Sequence, residues 1–304
     1  ALSIARDAII DARTGEAAAS AIPQINFQAE SVPSWALNIT YVSCGPGILP
    51  GRRTGRYRGK TADFAETYGT VLDAVAAVVL NDRFGNRNTV GTAFLIGPET
   101  LLTNLHVVEG FADFDRNAGV WSIDPNMDMA LSFRREYPGC PGARDRDEDL
   151  RSFTIAGSSS TYDLAMLKLG APVGRRPLEF EYENAAVPAS TEVLVVGYPV
   201  SFSQEATSPE VFDPYDKASA GFLRLQPGIA QQRRGVDGLL YQHSSSTLSG
   251  NSGSPIFDMR TGKVVGVHYC GKPQTVNFGI PARAAEDFVE GKETGRAASS
   301  ASAL

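Results

Sequence analysis

From Val71 onward the chain alternates short β-branched and aliphatic runs with turn residues. Residues 74–80, 90–96 and 100–103 read as strands, with Gly97-Pro98 as the turn between the last two. A second set follows at 191–196, 239–242, 255–257, 264–268 and 277–280. Many short strands punctuated by turns are expected of barrels, so the pattern predicts an all-β body. The ends read differently. In residues 1–14, Ile4, Ala8, Ile9 and Ala12 fall at helical spacing and Gly15 supplies a stop, which predicts a short amphipathic helix. Residues 23–69 are rich in proline, glycine and arginine, with a basic stretch at 51–60. They are expected to form a solvated extension laid over the body. A sharper reading makes residues 1–69 a propeptide or a docking arm for an activating or regulatory protein. Residues 295–304 are small and polar and read as a flexible tail.

Three segments then carry chemistry: Thr103-Asn104-Leu105-His106, Tyr162-Asp163-Leu164-Ala165, and Ser249-Gly250-Asn251-Ser252-Gly253-Ser254-Pro255. A serine hydroxyl is a weak nucleophile near neutral pH. It needs a histidine to take its proton and a buried acid to hold that imidazole in the right tautomer. The segments supply one of each. Asp163 competes with Asp113, Asp115, Asp124 and Asp128, which lie nearer His106 in sequence but in loop-like text; Asp163 instead opens an apolar run. Ser252 competes with Ser249, Ser254 and Ser244-Ser245-Ser246, yet it alone is flanked by Gly250 and Gly253. The order histidine, aspartate, serine excludes an α/β-hydrolase, which runs serine, acid, histidine. Residues 250–254 also end in Ser254 where a G-x-S-x-G elbow needs glycine.

Gly91-Thr92-Ala93-Phe94-Leu95-Ile96 and Leu101-Leu102-Thr103-Asn104-Leu105-His106-Val107-Val108 resemble the histidine segment of chymotrypsin-like serine peptidases. The Asp163 and Ser252 segments match the same family, and the resemblance covers residues 70–290. It is nearest the bacterial branch of glutamyl endopeptidases, whose serine motif reads G-N-S-G-S-P. The resemblance implies two antiparallel six-stranded β-barrels at about 70–180 and 181–280. A closing helix at 282–292 would complete a peptidase domain of 70–294, with 1–69 as an extension. His106 and Asp163 would belong to the first barrel and Ser252 to the second, meeting at a cleft. It also implies a serine endopeptidase acting on protein or peptide through an acyl-enzyme. Ser252 attacks, His106 acts as base and then acid, and Asp163 orients it; the N–H groups of Gly250 and Ser252 form the oxyanion hole. The wall strand, with His268, Tyr269 and Gly271, is similar to the segment that reads an acidic side chain in glutamyl enzymes. Thr247 falls where that branch places a hydroxyl. Cleavage after Glu is therefore expected.

Trypsin itself has an aspartate before its serine, which pairs with a freshly cut N-terminal amine. Here the residue is the neutral Asn251. A buried ammonium would find no charge partner there, so activation by N-terminal insertion is not expected. The rival reading is a latent or inactive protease-fold binding module, switched on by a partner or a cut.

Composition adds exclusions. The balance of 28 basic and 34 acidic residues gives a net charge of −6, which offers no strong pull toward nucleic acid or anionic membranes. No apolar run approaches the roughly 20 residues of a membrane span. Cys44, Cys140 and Cys270 are sparse and odd in number, which favours a reducing compartment or free thiols over one disulfide with a thiol left over. With no visible signal peptide the expected location is cytoplasmic, or secreted if a signal was removed. No cofactor and no metal are expected: three histidines and no paired cysteines at metal spacing do not make a zinc site. His243 reads as structural or as a second pocket residue. Cys270 reads as a small buried hydrophobe beside the pocket, and the long segments 138–150 and 200–221 as loops rimming the cleft.

Overall fold

Val75, Ala76, Ala77, Val78 and Val79 are all fully buried, the mark of a strand covered on both faces. They open β3 (Val75–Asn81), the centre of a curled antiparallel sheet. A computed structural model describes residues 41–44, 47–50, 68–84, 86–136, 149–181, 187–200, 221–231, 240–272 and 276–292. The helix expected at 1–14, the basic stretch 51–60, the tail 295–304 and most of both rim loops lie outside them.

Two short strands come first among the described residues, β1 (Tyr41–Cys44) and β2 (Gly47–Pro50). The first sheet then uses β3, β4 (Arg87–Leu95), β5 (Thr100–Asn104), β8 (Asp128–Phe133), β9 (Asp149–Leu150), β10 (Phe153–Ser159) and β11 (Leu164–Leu169). Its order is β10-β11-β5-β4-β3-β8-β9, six substantial strands and the two-residue β9 at one edge. Between β5 and β8 lie a one-turn helix, α1 (Leu105–Val108), and a separate hairpin of β6 (Ala112–Asp115) and β7 (Val120–Ile123). The expected Gly97-Pro98 turn forms, closed by Ile96 N donating to Thr100 O at 2.9 Å.

The second sheet comprises β12 (Glu192–Gly197), β13 (Arg224–Ile229), β14 (Tyr241–His243), β15 (Pro255–Asp258), β16 (Val264–Lys272) and β17 (Val276–Pro281). Its order is β14-β17-β16-β15-β12-β13, and β1 with β2 extends it beyond β13. The extension therefore contributes two strands to the sheet, pairing Tyr41 with Leu225 and Val42 with Arg224. Together the two curled sheets and a C-terminal helix make a chymotrypsin-like double barrel.

That helix, α2 (Ala282–Val289), follows β17 directly and buries Ala284, Ala285 and Phe288. It stops short of the expected 292 because Gly291 takes φ +66 and Lys292 N turns back to Asp287 O at 2.7 Å. The sheets meet along a seam. Tyr198 reaches across it, donating its hydroxyl to Val75 O at 2.9 Å and accepting from Arg135 N. Thr92 N, on β4, donates to Ser252 O at 2.9 Å.

Candidate active site

The pairing of β11 beside β5 puts Leu164 opposite Asn104, so the residues flanking that pair, Asp163 and the start of α1, become neighbours. Asp163 sits in the link between β10 and β11 with φ +52, a left-handed conformation that an aspartate adopts at some cost. Its bonds compensate. The Asp163 carbonyl accepts from Leu105 N and from Asn104 Nδ2, both at 3.0 Å. Its carboxylate accepts from His106 N at 2.9 Å and lies 2.6 Å from His106 Nδ1. Backbone and side chain of the histidine are thus gripped by one buried acid, which leaves Nε2 as the ring nitrogen that the acid does not hold.

The competing acids are elsewhere. Asp113 and Asp115 are exposed, Asp128 pairs with Arg151, and Asp124 accepts from Asn126.

Ser252 lies in a turn leading into β15. Gly250 takes φ +90 and Gly253 φ +85, conformations that side chains resist. The turn is tied on several sides: Ser249 O accepts from Val200 N at 2.7 Å, Gly250 O from Thr92 Oγ1 at 2.7 Å, and His268 O from Gly253 N at 3.0 Å. Among the described residues the N–H groups of Gly250 and Ser252 have no acceptor, as an oxyanion hole requires. Ser252 is partly buried, and its Oγ donates to Tyr269 O over a long 3.5 Å. Ser254 and Ser245, its sequence rivals, are fully buried.

Tyr269 is the hinge of this arrangement. Its strand, β16, shifts register between His268 and Cys270, so Tyr269 is the bulged residue, a device that re-aims a side chain. Its ring stands edge-on to His106 with centroids 6.0 Å apart, while its carbonyl meets Ser252. His106, Asp163 and Ser252 are thereby gathered around one wall residue.

On the same strand His268 is buried, its Nδ1 3.1 Å from Nε2 of the fully buried His243. Burial pushes His243 down to about 3, a backbone hydrogen bond with Phe278 pulling the other way. His268 is held well below the usual range by burial first, then by His243 and His106. Both rings are neutral near pH 7. Thr247 is buried and donates to Asn277 Oδ1 at 2.7 Å, while Asn277 Nδ2 donates to Ser245 O. Its hydroxyl hydrogen is already used, so Thr247 does not stand as the free donor the sequence suggested. Gly271, opposite Asn277, is exposed, and Cys270 is partly buried. Among the described residues no three His, Cys, Asp or Glu side chains are placed to share a metal ion.

The trypsin-like peptidase domain family matches residues 91–267, more than half of the chain and a span that holds His106, Asp163 and Ser252. The chain belongs to the trypsin-like peptidases. This trypsin-like peptidase is 23% identical to the glutamyl endopeptidase of Staphylococcus aureus strain MRSA252 over 193 residues, 63% of this chain and 45% of that protein. The glutamyl endopeptidase of strain MW2 is 24% identical over 193 residues, 63% of this chain and 50% of that protein. The chain spans about half the length of these curated relatives. Among solved structures, the active form of the Rv3671c protease from M. tuberculosis aligns with a TM-score of 0.48 and 18% identity, covering 74% of this chain and 82% of that one.

Sequence reasoning missed Thr92, Gln226 and Tyr198 as supports of the Ser252 turn. Thr92 stood inside the quoted histidine segment, but its hydroxyl serves a residue 158 positions away. His243 was foreseen only as structural or as a second pocket residue; its contact with His268 gives it a definite partner.

Proposed function

We propose that the chain is a serine endopeptidase that cleaves protein or peptide substrates through an acyl-enzyme. The observation that carries this is the double grip of Asp163 on His106, at Nδ1 and at the backbone N–H, beside a serine turn with two open amides. Nε2 of His106 takes the Ser252 proton as Oγ attacks the scissile carbonyl. The N–H groups of Gly250 and Ser252 receive the developing oxyanion. The protonated His106 then gives its proton to the leaving amine, and water repeats the sequence in reverse roles. A latent or inactive module has less in its favour, because no triad member is missing and no described side chain fills the open amides.

Specificity rests on His268. His268 Nδ1 faces His243 Nε2, so His268 Nε2 is left for a substrate side chain and donates to it when it carries a proton. The similarity to glutamyl endopeptidases supports glutamate as that side chain. A carboxylate brought against a neutral imidazole favours the charged form of the ring. Binding a Glu substrate therefore takes up a proton at pH values between the free and bound pKa of His268, and a Gln substrate does not.

Paired peptides differing only in Glu or Gln before the cut test this reading. KM for the Glu peptide is expected to rise with pH, by up to about tenfold per unit, between the free and bound pKa values of His268, while KM for the Gln peptide stays flat. His268→Ala is expected to abolish the preference for Glu. Unchanged cleavage after Glu in that variant removes His268 from the pocket assignment.

A further inference from the structure

Asn251, between the two amides of the proposed oxyanion hole, is fully buried, and so is Gln226 on β13. Their carboxamides face each other with two reciprocal hydrogen bonds. Gln226 Nε2 donates to Asn251 Oδ1 at 2.8 Å, and Asn251 Nδ2 donates to Gln226 Oε1 at 3.0 Å. Asn251 Nδ2 also donates to Leu248 O at 3.1 Å, and Ser254 Oγ approaches Asn251 Oδ1 at 3.5 Å. The side chain in the middle of the turn thus has every polar atom engaged. Such a fully satisfied buried network fixes one backbone arrangement.

The arrangement it fixes is the one an oxyanion needs. Ser249 O is turned to Val200 N, and because a peptide is planar and trans, the Gly250 N–H points the opposite way. Thr92 Oγ1, itself accepting from Tyr198 N at 3.2 Å, holds Gly250 O on the next peptide. The contact under Asn251 is neutral and made within the barrel, so no new N-terminus has to arrive to complete it.

We propose that Gln226 is a positioning residue: through Asn251 it holds the Gly250–Ser252 turn in its oxyanion-binding form, making the chain competent without a terminal cut. This rests on the serine endopeptidase reading. Gln226 touches no reacting atom. Its effect belongs to the transition state, where the oxyanion forms, more than to substrate binding.

The test compares the parent with Gln226→Met, of similar length but without polar atoms, and Gln226→Glu, reading kcat, KM and inhibition by a peptide aldehyde that forms a tetrahedral adduct. Complete loss of one oxyanion donor costs about 10²- to 10³-fold in rate. Gln226→Met, a partial loss, is expected to lower kcat and aldehyde affinity by about 10- to 100-fold with KM within about threefold. In Gln226→Glu the acid accepts from Asn251 Nδ2 at every pH but donates to Oδ1 only while protonated. Its kcat should gain a single-proton limb absent from the parent, falling as pH rises. The pH of that limb is set by the burial of residue 226. Circular dichroism confirms that each variant compared is folded, and either folded variant decides the matter. Parent-like kcat, aldehyde affinity and pH profile overturn the proposal, as does a parent that gains activity only on N-terminal cleavage. A parent that cuts no peptide before or after such cleavage instead removes the endopeptidase reading on which it rests.

Discussion

Asp163→Asn is expected to lower kcat by about 10⁴-fold while leaving the protein folded. The carboxylate now accepts at both His106 Nδ1 and His106 N. An amide can keep only one acceptor. With its NH2 turned to Nδ1, the imidazole must carry its proton on Nε2, where it cannot take another from Ser252. Asparagine tolerates the left-handed conformation found at residue 163 as well as aspartate does, so the backbone is not penalised. The loss should therefore appear in kcat at saturating peptide, with a thermal midpoint close to that of the parent. A variant retaining more than about a tenth of parental kcat contradicts the assigned role.

Gly253→Ala is expected to damage stability and activity together. A Cβ at this position, where φ is +85, would lie 2.1 Å from Thr92 O, 2.5 Å from Thr103 Oγ1 and 3.2 Å from Asn104 N. Two of those atoms are backbone of the first sheet, so the barrels must part at the seam to admit one methyl group. Left-handed strain and overpacking together cost about 2–5 kcal/mol. For a domain of this size the thermal midpoint should fall by roughly 10 °C, read by calorimetry. Because Ser252 precedes the displaced residue, kcat should fall as well. An alanine variant with the parental midpoint contradicts this packing.

Much of the architecture was legible because the core strands obey their pattern. Residues 75–79 and 193–196 are uninterrupted β-branched and aliphatic runs, and the structure buries them completely. The family motifs carried the double barrel and singled out His106, Asp163 and Ser252 from their rivals. What escaped has physical reasons. Strand β6 exposes Asp113, Phe114 and Asp115, so it offers no buried face to produce alternation. Strand β13 contains Pro227 and Gly228, two residues that interrupt a strand pattern. Yet Gly228 is demanded by close approach, since a Cβ there would lie 2.4 Å from Ser245 N. The hairpin of β1 and β2 lay in a stretch whose composition argued for a solvated arm. Gln226 and Asn251 are 25 residues apart, and their pairing follows from the sheet's register and from no local signal.

The most direct test of the central claim is to expose a mixed peptide library to the parent and to Ser252→Ala, with the cut sites read by mass spectrometry. The account predicts cuts after Glu by the parent and none by the variant. Cuts that persist in Ser252→Ala, or a parent that cuts nothing, contradict it.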